Sequence, residues 1–431
     1  VEILLHILIG MAGLGILHTY VFYPWWTIRT AKRLSPGSGY LKDVLADKVA
    51  EPVSASPPGE KLSVQPNQHS YFDSHDTDDL PRVTVLMAVH NEEKVLAQKL
   101  DGLLAQDYPG TYRILVGSDN SSDRTNEILQ DYAEKDKRLE FIAFQERQGK
   151  PGIINQLSRR AGALSSNHFF LLTDASVMLQ ADVLSALIAP TLTHADLAVI
   201  DARMIHVGMQ DSGIGKTEDH YINGEVRLKQ AEGRLWGYMM GPFGGCYALR
   251  SDYFVEVPAT FLVDDFFLCL AAYEQGGRGI SSPLAHCYEG VGQELTEEFR
   301  RKVRISSGNW QNALRFRSSW WPPIGQLGFA FFSHKILRWL TPFLVLVILV
   351  SLLTLSLLYS NYWAGTAFAF LLAALLLPAL LDRLLTGLFN LHWQPLRALR
   401  YFTAMNQALL VGFFRYLKGI QSNVWQPTQR H

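Results

Sequence analysis

Three apolar runs, residues 2–28, 339–359 and 363–381, constrain this chain more than any other feature. About 20 consecutive apolar residues match the hydrocarbon thickness of a bilayer. Inside a bilayer the backbone must satisfy its own hydrogen bonds, so each run is expected to be a helix. Arg29, Lys32 and Arg33 follow the first run directly, which puts the next segment on the cytoplasmic side. A cleaved signal would carry basic residues ahead of the run and a small-residue site behind it. Tyr23-Pro-Trp-Trp26 stands there instead, in the manner of an interfacial anchor. Residues 1–33 therefore read as an N-terminal transmembrane helix with a basic flank.

The later runs divide similarly. Residues 360–363 carry no basic side chain and read as the outer side, whereas Arg383, Arg397 and Arg400 place the next loop inside. The last apolar run, 401–417, contains Asn406, Gln407 and Arg415 and has basic residues on both flanks. It is expected as an interfacial or re-entrant helix with a cytoplasmic C-terminus, within a block of transmembrane and interfacial helices and tail at 336–431. Residues 299–335 combine a basic amphipathic stretch with Trp320-Trp-Pro-Pro323, which suits helices lying in the membrane surface. Residues 34–80, rich in Pro, Ser, Asp and Gly, sustain no apolar period and read as a flexible linker.

With 431 residues there is room for one large domain beside the membrane helices. A net charge of -1 with no basic stripe argues against a nucleic-acid partner. Cys246, Cys269 and Cys287 are odd in number and lack paired spacing. They are expected as reduced thiols, not as a disulfide frame or zinc site.

Between the helices, residues 81–298 alternate strands and helices: strands at 83–89, 112–117, 139–144 and 168–172, helices at 92–104 and 125–133. Short apolar strands alternating with helices imply a parallel sheet covered on both faces. In such sheets ligands bind beyond the carboxyl ends of the strands. Acid-bearing turns begin there, with His90, Asn91 and Glu92 after one strand, Asp119 after the next and Asp174 after a third.

Each of these residues has a plain structural reading beside a chemical one. Asp123 either caps the following helix or meets a ligand. Asp119, placed earlier, is favoured as an acceptor for a pyrimidine N–H. Asp174 at a strand end suits Mg²⁺ or Mn²⁺, which take oxygen ligands and bridge to diphosphates. Arg147, Lys150 and Asn155 surround a glycine-bearing helix start, compatible with phosphate binding and equally with a solvated loop. Asp264 and Asp265 stand together in the apolar Phe261-Leu-Val-Asp-Asp-Phe-Phe-Leu268. Two such acids repel, so one has a raised pKa. A helix N-terminus also favours acids, which fits Asp264 better than Asp265; Asp265 is the general-base candidate for a hydroxyl acceptor. Arg301, Lys302 and Arg304 would clamp a diphosphate, or snorkel from an interfacial helix.

Taken as a set, residues 81–320 resemble the membrane-integrated family-2 inverting glycosyltransferases, the group of cellulose, chitin and hyaluronan synthases. The resemblance implies an α/β GT-A nucleotide-diphospho-sugar transferase domain, a Rossmann-like mixed sheet, inserted between transmembrane helices. It implies that His90, Asn91, Glu92, Asp119, Lys150 and Arg304 bind the nucleotide of a UDP-sugar and that Asp174 opens the metal-binding D-x-D element. Glu225 and Glu232 match acids that precede the acceptor segment. That segment is Gly241-Pro-Phe-Gly-Gly-Cys-Tyr-Ala-Leu-Arg250, with Phe243, Gly245 and Cys246 on the acceptor side, and Asp265 matches the base.

The chain departs from the family pattern at two places. Ser176 replaces the second D-x-D acid, and His286 is weighed as a substitute ligand against a buried structural histidine, the favoured reading. The Q-x-x-R-W element keeps Arg304 but loses Gln and Trp, and Trp310 is the candidate replacement platform for an acceptor sugar. The terminal Trp425-Gln-Pro-Thr-Gln-Arg430 resembles the closing motif of such synthases.

The expected activity is sugar transfer from a UDP-sugar to a hydroxyl, with Mg²⁺ or Mn²⁺, on a polysaccharide chain in exopolysaccharide synthesis. Single addition to a lipid-linked acceptor is the alternative, and a nucleotide-sugar-binding scaffold subunit the non-catalytic one. Membrane lipids and accessory export subunits are expected partners, with the catalytic domain on the cytoplasmic face of a bacterial inner membrane.

Overall fold

The computed structural model describes residues 1–34, 39–40, 71–72, 76–207, 215–290, 295–389, 391 and 393–420. Most of the expected linker, and the terminal motif that begins at Trp425, lie outside the described residues. The described chain opens with helices α1 (Glu2–Leu17) and α2 (Tyr23–Arg33), joined by a π-helical turn. An α/β stretch follows: β1 (Arg82–Val89), α3 (Leu96–Leu104), β2 (Tyr112–Asp119), α4 (Thr125–Lys135), β3 (Leu139–Phe144), α5 (Gly149–Ala161) and β4 (His168–Thr173). Next come β5 (Met178–Leu179), α6 (Val183–Ile188), β6 (Leu197–Val207), α7 (Gly215–Trp236), β7 (Cys246–Arg250), α8 (Asp264–Glu274) and β8 (Arg278–Gly290). Helices α9 (Leu295–Arg315), α10 (Gly325–Phe331), α11 (Leu337–Tyr359), α12 (Tyr362–Phe389) and α13 (Gln394–Leu417) complete it.

Two compact units form. One is helical and draws on Val1–Arg29, Gln210–Glu225 and Gln293–Gly419; the other contains the sheet and draws on Thr30–Met209 and Val226–Gly292.

In the α/β unit the eight strands run in the order β3-β2-β1-β4-β7-β6-β8-β5. The central strand β1 is buried from Val83 onward and lies parallel to both β2 and β4. Near-continuous apolar sequence is what a strand covered on both faces requires. Chain order reverses at β1: β2 and β3 lie to one side, β4 to the other. The carboxyl ends of β1, β2 and β4 therefore border a topological switch point. Beyond β4 the sheet is mixed. β7 is antiparallel to β4, with Cys246 opposite Thr173, so the loop entering β7 arrives at the edge where β4 ends. Helix α3 buries Leu96, Leu100 and Leu103 at helical spacing. It starts at Leu96 and not at Glu92, because the backbone before it closes a turn in which the Val95 and Leu96 amides both bond Glu92 O. Cys246, Cys269 and Cys287 are all buried free thiols, as their spacing implies.

Among the described residues, three helical stretches are long and apolar enough to cross a membrane: Glu2–Arg33, Gly325–Tyr359 and Tyr362–Phe389. The second begins earlier than the sequence reading, taking in residues 327–332, which had been assigned to the interface. The last apolar run belongs to a longer helix, α13. It crosses α9 closely: Ser306 Oγ donates to Leu409 O at 2.9 Å and Ser307 Oγ to Gly412 O at 3.0 Å. Asp382, buried on α12, pairs with Arg397 at 3.4 Å and with Arg400 of α13.

In the sheet, a Cβ on Gly117 of β2 would stand 2.3 Å from Ile153 of α5, so strand and helix approach as only glycine permits. Gly117→Val is expected to destabilise the chain by about 1–3 kcal/mol through overpacking. Gly102→Ala, on a helix with nothing nearer than 4.0 Å, should leave it unchanged or raise it. Thermal unfolding in detergent compares them; equal falls would refute the close approach.

Candidate active site

The first loops beyond β1 and β2 are tied to each other. Asn91 has a left-handed backbone (φ 54°), and its side-chain oxygen accepts from the Ser122 amide at 2.8 Å. The Glu92 amide donates to Thr125 Oγ1 at 2.9 Å, and that of Glu93 to Asp123 Oδ2 at 3.1 Å. Asp123 Oδ1 accepts from the Thr125 amide at 3.0 Å, so Asp123 ties the two loops together from just ahead of the helix, whose N-cap is Arg124. Burial works against the Asp123 charge, but bonds from the Thr125 hydroxyl and amide hold its pKa below the usual range.

Asp119 is fully buried at the end of β2. Its carboxylate accepts from the Gln148 amide at 2.6 Å and the Gly149 amide at 3.1 Å, the first turn of α5, and pairs with Arg147 Nε at 3.0 Å. The acid thus meets the N-terminal end of a helix, where its charge is favoured. Arg147 also donates to His90 Nε2 at 2.7 Å, which leaves Nδ1 carrying the proton it gives to Asp119 O at 2.8 Å. Burial first, then Arg147, lowers the His90 pKa and keeps the ring neutral. His90, Asp119 and Arg147 therefore form one connected corner.

Lys150, one residue into α5, reaches across the switch point. Its ammonium lies 2.7 Å from Asp174 Oδ1, at the end of β4, and 3.8 Å from Asp264 Oδ2, in the first turn of α8. Burial opposes the charge on Lys150, but Asp174, Asp264 and Asp265 outweigh it and raise the pKa. Asp265 is pushed up to about 6, by burial and then by Asp264. Asp264 Oδ2 is buried and has no hydrogen-bond partner. The loop entering β7 closes this side. Gly244 is left-handed (φ 83°), and a Cβ there would stand 2.3 Å from Asp265 Oδ2, so backbone lies directly against that carboxylate. Gly245 O accepts from the Asp174 amide at 3.1 Å and from Thr173 Oγ1 at 2.9 Å.

For a divalent cation the donors are few. Asp174 has a side chain 39% exposed, and Lys150 bonds one of its oxygens. Mg²⁺ commonly takes one or two carboxylates and completes its sphere with phosphate oxygens and water. The donor set thus fits a cation arriving with a diphosphate, not a protein-built cage. Among the described residues no group of three or more His, Cys, Asp or Glu side chains is arranged to hold a metal. His286 is buried on β8, with Nδ1 3.1 Å from Gln180 Oε1 and its carbonyl accepting from the Gln180 amide. That is the structural-histidine alternative of the sequence reading.

Other candidates fall elsewhere. Asn155 clasps the backbone of Val257 with both side-chain atoms, at 2.8 and 2.9 Å. Arg301 and Lys302 pair with Glu298 on α9, at 3.3 and 3.1 Å. Arg304 and Trp310 belong to the helical unit, where Trp310 packs edge-on against Phe413 at 5.0 Å and Phe343 at 6.3 Å. Glu225 is held in that unit by His334 at 3.0 Å, Lys335 at 3.4 Å and Arg338, whereas Glu232 accepts from the Met240 amide at 3.0 Å in the α/β unit.

Sequence reading missed Lys99. Fully buried on α3, it donates to Thr173 Oγ1 at 2.8 Å and to Val177 O, bracing the turn that carries Asp174 from behind. The signal was present, since Lys99 lies on the apolar stripe of Leu96, Leu100 and Leu103.

Residues 84–256 match the family model Glycosyl transferase family 2, and residues 220–380 match Glycosyl transferase family group 2. A beta-monoglucosyldiacylglycerol synthase of Trichormus variabilis is 33% identical over 108 residues, 24% of this chain and 22% of that protein. A poly-beta-1,6-N-acetyl-D-glucosamine synthase of Staphylococcus aureus is 23% identical over 241 residues, 55% of this chain and 57% of that protein. The chain thus spans between about a fifth and three-fifths of the length of these relatives. Among solved structures, the mannosyltransferase PcManGT of Pyrobaculum calidifontis, in complex with GDP-Man and Mn²⁺, superposes with a TM-score of 0.62 at 18% identity. That match covers 95% of this chain and 99% of the other.

Burial pushes the Lys99 pKa down to about 8, below its unfolded value. Between about pH 8 and 10 the unfolded chain then binds more protons than the folded one, so this residue makes stability rise with pH. Lys99→Met should remove that increment from the pH dependence of urea unfolding; a difference between the proteins that does not change with pH would exclude Lys99 as its source.

Proposed function

The chain carries family-2 glycosyltransferase domains on a GT-A fold, and we propose that it transfers a sugar from a UDP-sugar to a hydroxyl with inversion. The observation that carries this reading is the convergence on Lys150: its ammonium joins Asp174 to Asp264, beside the paired Asp265. A cation among acids at a switch point suits a nucleoside diphosphate sugar, which brings its own negative charge.

In this proposal Asp119, with His90, Asn91 and Glu92, lines the nucleotide side. Lys150 turns from the carboxylates to the diphosphate. Asp174 would hold a divalent cation, which when bound would offset part of the negative charge of the diphosphate. Asp265 removes the acceptor proton as the glycosidic bond forms, which its raised pKa suits: the stronger the base near working pH, the better the transfer. Gly245, Cys246 and Phe243 lie on the acceptor side.

The acceptor is proposed to be a polysaccharide end presented at the membrane, supported by likeness to the poly-beta-1,6-N-acetyl-D-glucosamine synthase over 55% of the chain. The diacylglycerol synthase relative favours a second reading, addition of one sugar to a lipid. The three long apolar helices support a membrane-bound enzyme, and the basic residues after the first support a cytoplasmic catalytic domain.

The test is release of nucleoside diphosphate by the purified full chain. UDP-glucose, UDP-N-acetylglucosamine and GDP-mannose serve as donors, dioleoylglycerol or chitotriose as acceptors, with Mg²⁺ or Mn²⁺. A ladder of products supports the polysaccharide reading and a single addition the lipid one; absence of release from every donor refutes transfer. Asp265→Asn is expected to lower transfer by at least about a thousandfold while UDP still binds. Because Asp265 titrates at about 6, transfer should fall as pH drops through 6, where the base becomes protonated. A rate independent of pH between 5 and 7 would remove Asp265 from that role.

A further inference from the structure

We propose that the buried ion pair Asp201–Lys229 positions the acceptor-side loop, and thereby what stands beside Asp265. The inference rests on the proposed reading of residues 241–250 as the acceptor-side segment. It assigns a role to two residues, on β6 and α7, that no motif singles out.

Lys229 Nζ lies 2.6 Å from Asp201 Oδ2, with the two side chains 2% and 0% exposed. Burying both charges costs desolvation that their attraction barely repays, so such a pair contributes little net stability. Geometry shows what it does instead. The second oxygen, Asp201 Oδ1, accepts from the Phe243 amide at 3.1 Å. The Lys229 ammonium stands 3.4 Å from the centroid of the Phe243 ring, a cation–π contact inside the protein. One loop residue is thus gripped twice, at its backbone by the acid and at its ring by the base.

The neighbouring residues are fixed in the same manner. Glu232, nearly one turn beyond Lys229 on α7, accepts from the Met240 amide at 3.0 Å, and the Tyr273 hydroxyl of α8 donates to Met239 O at 2.7 Å. Gly241 is left-handed, and a Cβ there would stand 2.3 Å from the Phe266 ring. The held loop then delivers Gly244 against Asp265. A shift of the loop changes the space in which an acceptor hydroxyl meets that carboxylate, and a displacement of about 1 Å in a reacting geometry can cost about a hundredfold in rate. An apolar pair of equal volume would fill the core but would neither accept from the Phe243 amide nor hold a cation over its ring. Asp201 and Lys229 are therefore positioning residues.

The experiment uses the full chain in detergent. Lys229→Met leaves a buried lone carboxylate and can fail to fold, so the double variant Lys229→Met, Asp201→Leu accompanies it; it removes both charges and the acceptor for the Phe243 amide. Amide hydrogen exchange is measured without substrate. In the double variant, exchange at 239–245 should quicken by at least about tenfold while β1 and β2 stay as in the wild type. Unchanged exchange at 239–245 overturns the proposal whatever the enzyme transfers.

In kinetics, UDP release from UDP-glucose without acceptor should stay within about twofold of wild type, while transfer to the acceptor the wild type uses falls at least about tenfold. Lys229→Arg, which restores a cation, should recover part of it. Equal loss of both reactions would mark general damage and defeat the positioning role. Absence of any turnover in the wild type would instead refute the transferase reading, and the exchange result would still decide this one.

Discussion

One ammonium holds the centre of the α/β unit. Asp174 ends β4, Asp264 and Asp265 open α8, and like charges brought to one sheet edge repel. Lys150 lies within reach of the first two, and its raised pKa records the field of all three. It can do so because α5 starts beside β2 and points its first turn across the switch point. The start of α8 helps, since a helix N-terminus favours acids. Burial, and Asp264 beside it, raise the pKa of Asp265.

Behind this arrangement the protein uses buried lysines as braces. Lys99 supports the Thr173–Val177 turn from the core side, and Lys229 with Asp201 holds the loop that enters β7. Glycines do the complementary work on the open side. At Gly244 and Gly241 a side chain would collide with Asp265 or Phe266, so the loop can lie flat against α8 only without one. The result is a set of carboxylates whose supports differ in kind: amides of α5 for Asp119, an ammonium for Asp174, and tightly packed backbone for Asp265.

Much of the fold was legible because it depends on local pattern. The strands at 83–89, 112–117, 139–144 and 168–172 are found with shifts of no more than two residues, since unbroken apolar runs of that length have few alternatives to a covered strand. Helix ends were less readable. α3 begins at Leu96 because a backbone turn intervenes, and residues 327–332 join the helical stretch Gly325–Tyr359. For the site, Asp119 and Asp174 were readable at strand ends, Lys150 at a helix start and Asp265 in its acid pair, but their partners were not. Asp123 had two readings and bonds the Thr125 amide just ahead of the helix; Asn155, read as part of a phosphate-binding or solvated loop, clasps Val257. Lys99 and Lys229 were not singled out, although the first breaks an apolar helix stripe.

What the amino-acid sequence alone determined is the inventory: three membrane-length helices, a series of strands ending in acids, and glycines where backbone must approach closely. These follow from length, period and residue chemistry, which are properties of neighbours along the chain. Tertiary structure decided the pairing. Asp201 meets Lys229 across 28 positions and Lys150 meets Asp174 across 24, and no spacing rule links them. A buried charge is tolerable only beside its particular partner, so the roles of these residues exist only once the sheet has brought them together.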